Sequence, residues 1–403
     1  MLLLDVIIIY PNNLKIKCGE IITGTPEGNG RIKGAFRYTP KYLQHPDAFP
    51  IDPANLPLAP KEFSSNRPQG IHGVFEDALP DDWGRKILVR KATLPPREQT
   101  EPKLLEALGN SGMGALCFET GNAIKTPQDP SADILHLEQL LELAIRYDAG
   151  EQLSDQDFCS LAVCGSSPGG ARPKSLIRDK DNFLWLAKFP KHNDHFHVEQ
   201  IEAATLKLAE NSGLKVPEFK ILTVGSRKAL LVKRFDVADD SGRYHMISMK
   251  TVLNAQYYAW YEDIFKAVKK YSTQPSVDIP ALFRQMVFNA AIGNTDDHLK
   301  NFCMLHKETG YCLSPAFDLL PDIHGKRSHS LSFPKGSGEF SPNRSVLLAY
   351  AADLNIKNPD SIIDAVIQAV SAWQDVYAAY DVPDTDIQKL DRDISYRLDK
   401  LKN

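Results

Sequence analysis

The chain has 403 residues, 43% hydrophobic and 24% charged, too long for one simple core and fitting two or three packed units. Its net charge of −4 gives no bulk signal for nucleic-acid binding. Six cysteines without a Cys-x-x-Cys pair exclude a disulfide frame or zinc site, and no apolar run reaches the length of a membrane span, so a cytoplasmic protein is expected. Residues 2–9 are apolar but short. Asp5 interrupts them and no basic stretch precedes them, so they read as a buried strand rather than a signal peptide.

Further strands are read at 14–18 and 31–38, joined by the Gly-rich turn at 26–30. Short helices follow at 81–91 and 103–108, then an apolar strand at 115–118. The polar segment 120–133 reads as a linker, and 135–147 has helical periodicity. A second unit begins near Glu151. It holds a Gly-rich turn at 166–174, a hairpin at 176–178 and 183–189, a helix at 198–212, and a second hairpin at 219–224 and 229–234. That order is the order of a kinase small lobe. After Phe235 the chain reads as mostly helical, with helices at 280–293, 360–380 and 384–401 and a small hairpin at 302–305 and 310–313. The expected boundaries are 1–150, 151–234 and 235–403. The expected fold class is α+β: a two-lobed, protein-kinase-like fold with an extra β-rich N-terminal subdomain and a mostly helical C-terminal lobe.

The helix at 280–293 runs into Asn294-Thr295-Asp296-Asp297-His298-Leu299-Lys300-Asn301. An Asp with an Asn five positions later is the spacing of a kinase catalytic loop: the Asp handles the acceptor hydroxyl and the Asn holds a metal ion. Asp318, twenty-two residues after Asp296, is the second acid such a metal site needs. The usual kinase wording, His-Arg-Asp and Asp-Phe-Gly, is absent. One such match alone is more often an Asx-rich turn capping a helix. His298 and Lys300 are candidates to position the loop or meet phosphate charge. Asp297 is either a supporting group or a solvated one, and His324 and His329 have no assigned role.

Phosphoryl transfer also needs a cation and a loop on the phosphates. Lys188 lies in an otherwise apolar strand, where a buried ammonium needs a partner, and Glu202 on the next helix is the candidate. Gly169 and Gly170 in the turn at 166–174 let backbone N–H groups approach oxyanions, and Arg172 and Lys174 add charge. Ser166 and Ser167 place hydroxyls beside the presumed γ-phosphate, as targets for self-phosphorylation. Lys233-Arg234-Phe235-Asp236 ends the second hairpin where the hinge of a two-lobed kinase binds adenine through main-chain groups; a plain connector is the alternative. His192, His195 and His197 with Asp194 read as a solvated loop rather than a metal site.

This order of motifs resembles the HipA family, the serine/threonine-kinase toxins of bacterial HipBA-type toxin–antitoxin modules. The resemblance covers nearly the whole chain. Phe36-Arg37-Tyr38-Thr39-Pro40, Phe49-Pro50-Ile51-Asp52, Leu56-Pro57-Leu58 and the run from Gly73 to Asp81 are similar to the family's N-terminal subdomain. The run from Ser167 to Lys174 resembles its Gly-rich loop, and Thr295 to Phe302 with Pro315-Ala316-Phe317-Asp318 resemble its catalytic motifs.

The resemblance implies that Asp296 is catalytic, that Asn301 and Asp318 hold Mg²⁺, and that Lys188 meets the ATP phosphates with Glu202 as helix glutamate. Lys233 and Phe235 match the hinge. Ser167 falls at the family's autophosphorylated serine, with Ser166 a close rival, and a phosphate there would be repelled from ATP. The resemblance further implies a helix-turn-helix antitoxin of HipB type as partner, operator DNA contacted mainly through that antitoxin, and a protein substrate such as an aminoacyl-tRNA synthetase. Two other functions are weighed: a catalytically weak, kinase-like corepressor acting through a DNA-bound antitoxin, and a small-molecule phosphotransferase. The long N-terminal subdomain and the loop serines argue against the second.

Overall fold

The structure, a computed structural model, describes residues 1–121, 131–165, 170–238, 242–255, 259–326, 328–334 and 341–403. It divides into two compact units. One comprises Met1–His192, Val224–Ile247 and Leu305–Lys307; the other comprises Asn193–Thr223, Ser248–Met304 and Glu308–Asn403.

In the first unit, β1 (Leu2–Ile9), β2 (Lys15–Thr23), β3 (Gly34–Tyr38), β4 (Glu62–Ser64) and β5 (Leu116–Glu119) form an antiparallel sheet in the order β4-β3-β2-β1-β5. β1 has a neighbour on each side and is buried from Leu4 to Ile9, so its apolar run does not alternate. Asp5 is the polar exception within it, and Lys17 Nζ lies 2.7 Å away. Close packing fixes Gly19 in β2, because a Cβ there would overlap the Phe36 ring.

A second sheet in this unit runs β6 (Ala132–Asp133), β7 (Lys174–Arg178), β8 (Leu184–Lys188) and then the strand Arg227–Lys233. The end of the segment read as a linker is therefore tied down: β6 pairs in parallel with Ile177 and Arg178, while 122–130 lie outside the described residues. The helix Asp155–Gly165 was not read from the sequence. Its buried stripe of Phe158, Leu161 and Ala162 is interrupted by exposed Cys159 and Val163, which blurs the helical period.

The second unit is built around the helix Pro275–Ile292, which is buried continuously from Gln285 to Ile292. A helix apolar on all sides belongs in the middle of a bundle. Around it pack the helices Tyr261–Tyr271, Pro359–Ser371 and Asp384–Lys402. The segment read as one helix at 360–380 is two, Pro359–Ser371 and Trp373–Ala379, with a break at Ala372. The helix Val198–Asn211, read with residues 151–234, packs on these two. Thr205 Oγ1 lies 2.7 Å from Tyr377 Oη, and Gln200 Nε2 donates to the Asp381 carbonyl at 2.8 Å.

Candidate active site

The central helix ends at Gly293, whose backbone is left-handed at φ +77°. Glycine reaches this conformation without a Cβ penalty. The helix end also leaves no room for a side chain, since a Cβ would lie 2.8 Å from both Arg397 Nε and Asp393 Oδ2. The turn throws the chain into the loop 294–301, where adjacent acids face opposite ways. The Asp296 side chain is 62% exposed, whereas that of Asp297 is fully buried.

Asp297 anchors the loop. Its Oδ2 accepts from Tyr261 Oη at 2.6 Å and faces His329 Nδ1 at 3.0 Å, and its Oδ1 accepts from the N–H groups of Ser330 (2.9 Å) and Leu331 (3.2 Å). Burial, then the adjacent Asp297 carboxylate, pushes the Tyr261 phenol well above its ordinary range, so it remains a donor. Asn289 Nδ2 donates to Tyr261 Oη and Asn294 Nδ2 to Asn289 Oδ1, tying the helix end into the same network. Of the two roles left open for Asp297 the structure selects support. His329, without a role in the sequence reading, is a member of the network with a side chain only 2% exposed.

Asp296 presents its carboxylate outward. Lys326 Nζ lies 3.1 Å from Oδ1 and His298 Nε2 lies 3.9 Å from Oδ2. Ion pairs this exposed contribute little stability, about 0–1 kcal/mol, and leave the carboxylate available. Asn301 Nδ2 donates to the Asp296 carbonyl at 3.0 Å, which leaves its Oδ1 as a hard oxygen for a cation. Asp318 is half-buried and left-handed at φ +52°, a conformation Asp tolerates better than most residues. Lys300 is half-buried in the same loop, and Glu202 is buried on the helix Val198–Asn211. Among the described residues no group of three or more His, Cys, Asp or Glu side chains is placed to hold a metal. Asn301 and Asp318 offer one amide oxygen and one carboxylate, hard donors of the type Mg²⁺ takes beside water and phosphate oxygens.

In the first unit, Lys174 on β7 and Lys188 on β8 are directly paired across the sheet. Both are buried, at 4% and 7% exposure. Paired residues share a face, so the two lysines stand side by side on the sheet. Gly170, at φ +102°, sits against the Lys174 ammonium. The N-terminal region holds it from both sides: Asp81 Oδ2 accepts from the Gly170 N–H at 2.9 Å, and the Trp83 N–H points at the Gly170 carbonyl at 3.4 Å. Trp83 Nε1 also donates to the Lys174 carbonyl at 3.2 Å. The sequence reading missed both anchors, although Asp81 closes one of the quoted N-terminal motifs. Ser166, Ser167 and Gly169 lie outside the described residues.

At the presumed hinge, Lys233 Nζ sits 3.4 Å from the centroid of the Phe183 ring, and Phe235 is half-buried in a turn. Between them Arg234 is buried against buried Asp236, with Nε donating to Oδ1 at 2.9 Å. Asp236 Oδ2 accepts from the Gly114 N–H at 2.6 Å, and Arg243 reaches the Gly112 and Gly114 carbonyls. Burial acts to raise the Asp236 pKa, but the Arg234 guanidinium outweighs it and holds the carboxyl below its usual range. This segment is a braced turn rather than a plain connector. In the histidine loop, His192 bonds Asp148 and His197 bonds Asp386, each at 2.9 Å.

Comparison with known proteins follows the same lines. A family model described as the HipA N-terminal domain matches residues 14–119, and one described as the HipA-like C-terminal domain matches 166–374. The chain is 26% identical to the putative kinase Y4dM of Sinorhizobium fredii, covering 76% of each protein. It is 25% identical to the toxin YjjJ of Escherichia coli, over 77% of this chain and 68% of that protein. It is 24% identical to the serine/threonine-protein kinase toxin HipA of Shewanella oneidensis, over 77% and 75%. In the Shewanella complex of HipA, HipB and operator DNA, one chain superposes with a TM-score of 0.68 at 18% identity, covering 98% of this chain and 96% of that one. The expected α+β, kinase-like fold is therefore borne out. Because the C-terminal domain model alone spans more than half of the residues, the chain belongs to the HipA family.

Proposed function

We propose that this chain is an ATP- and Mg²⁺-dependent serine/threonine protein kinase that serves as the toxin of a toxin–antitoxin module. The observation that carries this reading is the division of labour in the loop 294–301: one carboxylate is exposed, its neighbour is fully buried, and Asn301 is bonded back to Asp296 with its Oδ1 left over. An ordinary Asx cap has no need of the exposed acid. The related Shewanella protein is named a serine/threonine-protein kinase toxin and was solved with HipB and operator DNA. A helix-turn-helix antitoxin, and operator DNA reached through it, are the partners that fit this reading.

In the mechanism, Asp296 orients the acceptor serine or threonine hydroxyl and takes its proton as the oxygen bonds to the γ-phosphorus. The bond from that phosphorus to the β,γ-bridging oxygen breaks, and ADP leaves. Asn301 Oδ1 and the Asp318 carboxylate would hold the metal. Mg²⁺ supplies charge neutralisation on the phosphate oxygens when bound. In the first unit Lys174 and Lys188 are the cations for the nucleotide phosphates, and Lys233 and Phe235 flank the adenine site; in the second, Glu202 is the helix glutamate. Gly170 in the first unit and His298 and Lys300 in the second are further candidates for phosphate contact. The acceptor is a translation component such as an aminoacyl-tRNA synthetase, and self-phosphorylation falls on Ser167 or Ser166.

Asp296→Asn tests this directly. Its side chain is exposed, so the variant should fold as the parent does. Purified parent protein incubated with γ-labelled ATP and Mg²⁺ should label itself and an added protein acceptor, and the variant should label neither. Labelling by the variant equal to the parent would remove Asp296 from its assigned role.

A further inference from the structure

Behind the exposed face of the loop lies a second set of groups that touches no reacting atom. Asp297 is buried and faces four donors, three of which come from Tyr261, Ser330 and Leu331. The fourth is His329, and its other ring nitrogen identifies the tautomer. Nε2 lies 3.0 Å from Arg397 Nη1. A guanidinium has no lone pair to offer, so Nε2 is the acceptor and Nδ1 carries the proton given to Asp297. Arg397 in turn donates through Nε to Asp393 Oδ2 at 2.7 Å. Asp393 and Arg397 belong to the helix Asp384–Lys402, and the Arg397 side chain is 2% exposed.

We propose that His329 is a positioning residue: it locks the loop carrying Asp296 and Asn301 to the helix Asp384–Lys402 through the bridge Asp297–His329–Arg397. This rests on the kinase reading above. The adjacency of residues 296 and 297 makes the lock effective. Any rotation of the loop backbone that releases Asp297 also swings the Asp296 carboxylate and the Asn301 amide away from the positions they share. The ring is itself fixed by an edge-on contact with Phe333, at 4.7 Å between centroids, and Phe333 stacks on Tyr261 at 5.0 Å. Two further bonds to the Thr295 carbonyl, from the N–H and Oγ of Ser330, hold the segment after His329 against the start of the loop. The geometry thus assigns to a residue more than thirty positions downstream the task of aiming the site.

The test uses the full chain and three substitutions. Asparagine places an amide donor where Nδ1–H stands and keeps the bond to Asp297, glutamine places an amide oxygen where Nε2 stands and keeps the bond from Arg397, and leucine removes both. His329→Leu should lower kcat by about 10²-fold, the scale of a 1 Å misplacement, with KM for ATP little changed. His329→Asn and His329→Gln, each keeping one arm of the bridge, should each recover only part of kcat. Hydrogen exchange across 294–301, measured without nucleotide, should speed up most in the leucine variant and less in the asparagine and glutamine variants. An unchanged kcat in folded His329→Leu, a change confined to KM, or full recovery by Asn or by Gln alone would overturn the proposal. If His329→Leu does not fold, the asparagine and glutamine pair decides. If the parent protein transfers no phosphate, the kinase reading fails while the exchange comparison still decides whether His329 holds the loop.

Discussion

Asp318 and the Arg234–Asp236 pair make the clearest demands at the scale of single residues. Asp318 combines a ligand type with a left-handed backbone, so its substitutions separate the two. Asp318→Asn keeps a residue that tolerates φ +52°, whereas Asp318→Ala loses the carboxylate and adds about 1 kcal/mol of backbone strain. Both should abolish Mg²⁺-dependent phosphate transfer, and only the alanine variant should lower the urea midpoint. Asp236→Asn should be more damaging to stability than either. It leaves the Arg234 guanidinium, 1% exposed at its side chain, without its counter-charge. Breaking a buried pair from one side costs about 3–5 kcal/mol, and urea unfolding followed by circular dichroism would report it.

At the scale of elements, the end of the central helix and the paired strands β7 and β8 carry the next two expectations. Gly293→Ala imposes a left-handed alanine and drives a methyl against Arg397 and Asp393. A loss of about 1–3 kcal/mol in thermal or urea unfolding is expected, together with reduced activity because the clash strikes the partner of His329. Lys174→Met and Lys188→Met should each shrink the rise in Tm that added ATP produces in the parent protein, read by thermal shift. These elements differ in how far the sequence disclosed them. The apolar run of β8 and the Asp296–Asn301 spacing are local, so a short window contains them. The network around Asp297 is not local: Tyr261, Asp297, His329 and Arg397 span 136 positions, so no short window shows them together. The helix Asp155–Gly165 was hidden by exposed apolar residues on its outer face, and the break at Ala372 left no proline or glycine to mark it. The anchors Asp81 and Trp83 were visible as residues, but their partner Gly170 lies nearly ninety positions away.

At the scale of the whole molecule, buried neutral histidines set the response to acid. In the first unit, burial pushes His245 down to about 4. Burial and then the charge of Arg67 push His72 to about 4, and burial and then His245 push His306 to about 3. An unfolded histidine titrates near 6.5, so between there and about 4 the unfolded chain binds more protons. Stability is therefore lost as pH falls through that window, and a further loss follows below the ordinary Asp range as Asp236 protonates. The urea midpoint should fall from pH 7 to pH 4.5. His245→Gln, which keeps a donor for the Ile51 carbonyl that Nε2 now meets at 2.7 Å, should flatten the fall by about 3 kcal/mol. One feature of the second unit bears on the order in which the chain is made. Arg397 follows Asp297 by a hundred residues, and ribosomes add about 5–20 residues per second. For roughly 5–20 s after the loop is synthesised, its last brace does not yet exist. Until Arg397 is added, the loop that carries Asp296 exists without the last contact that holds it in place.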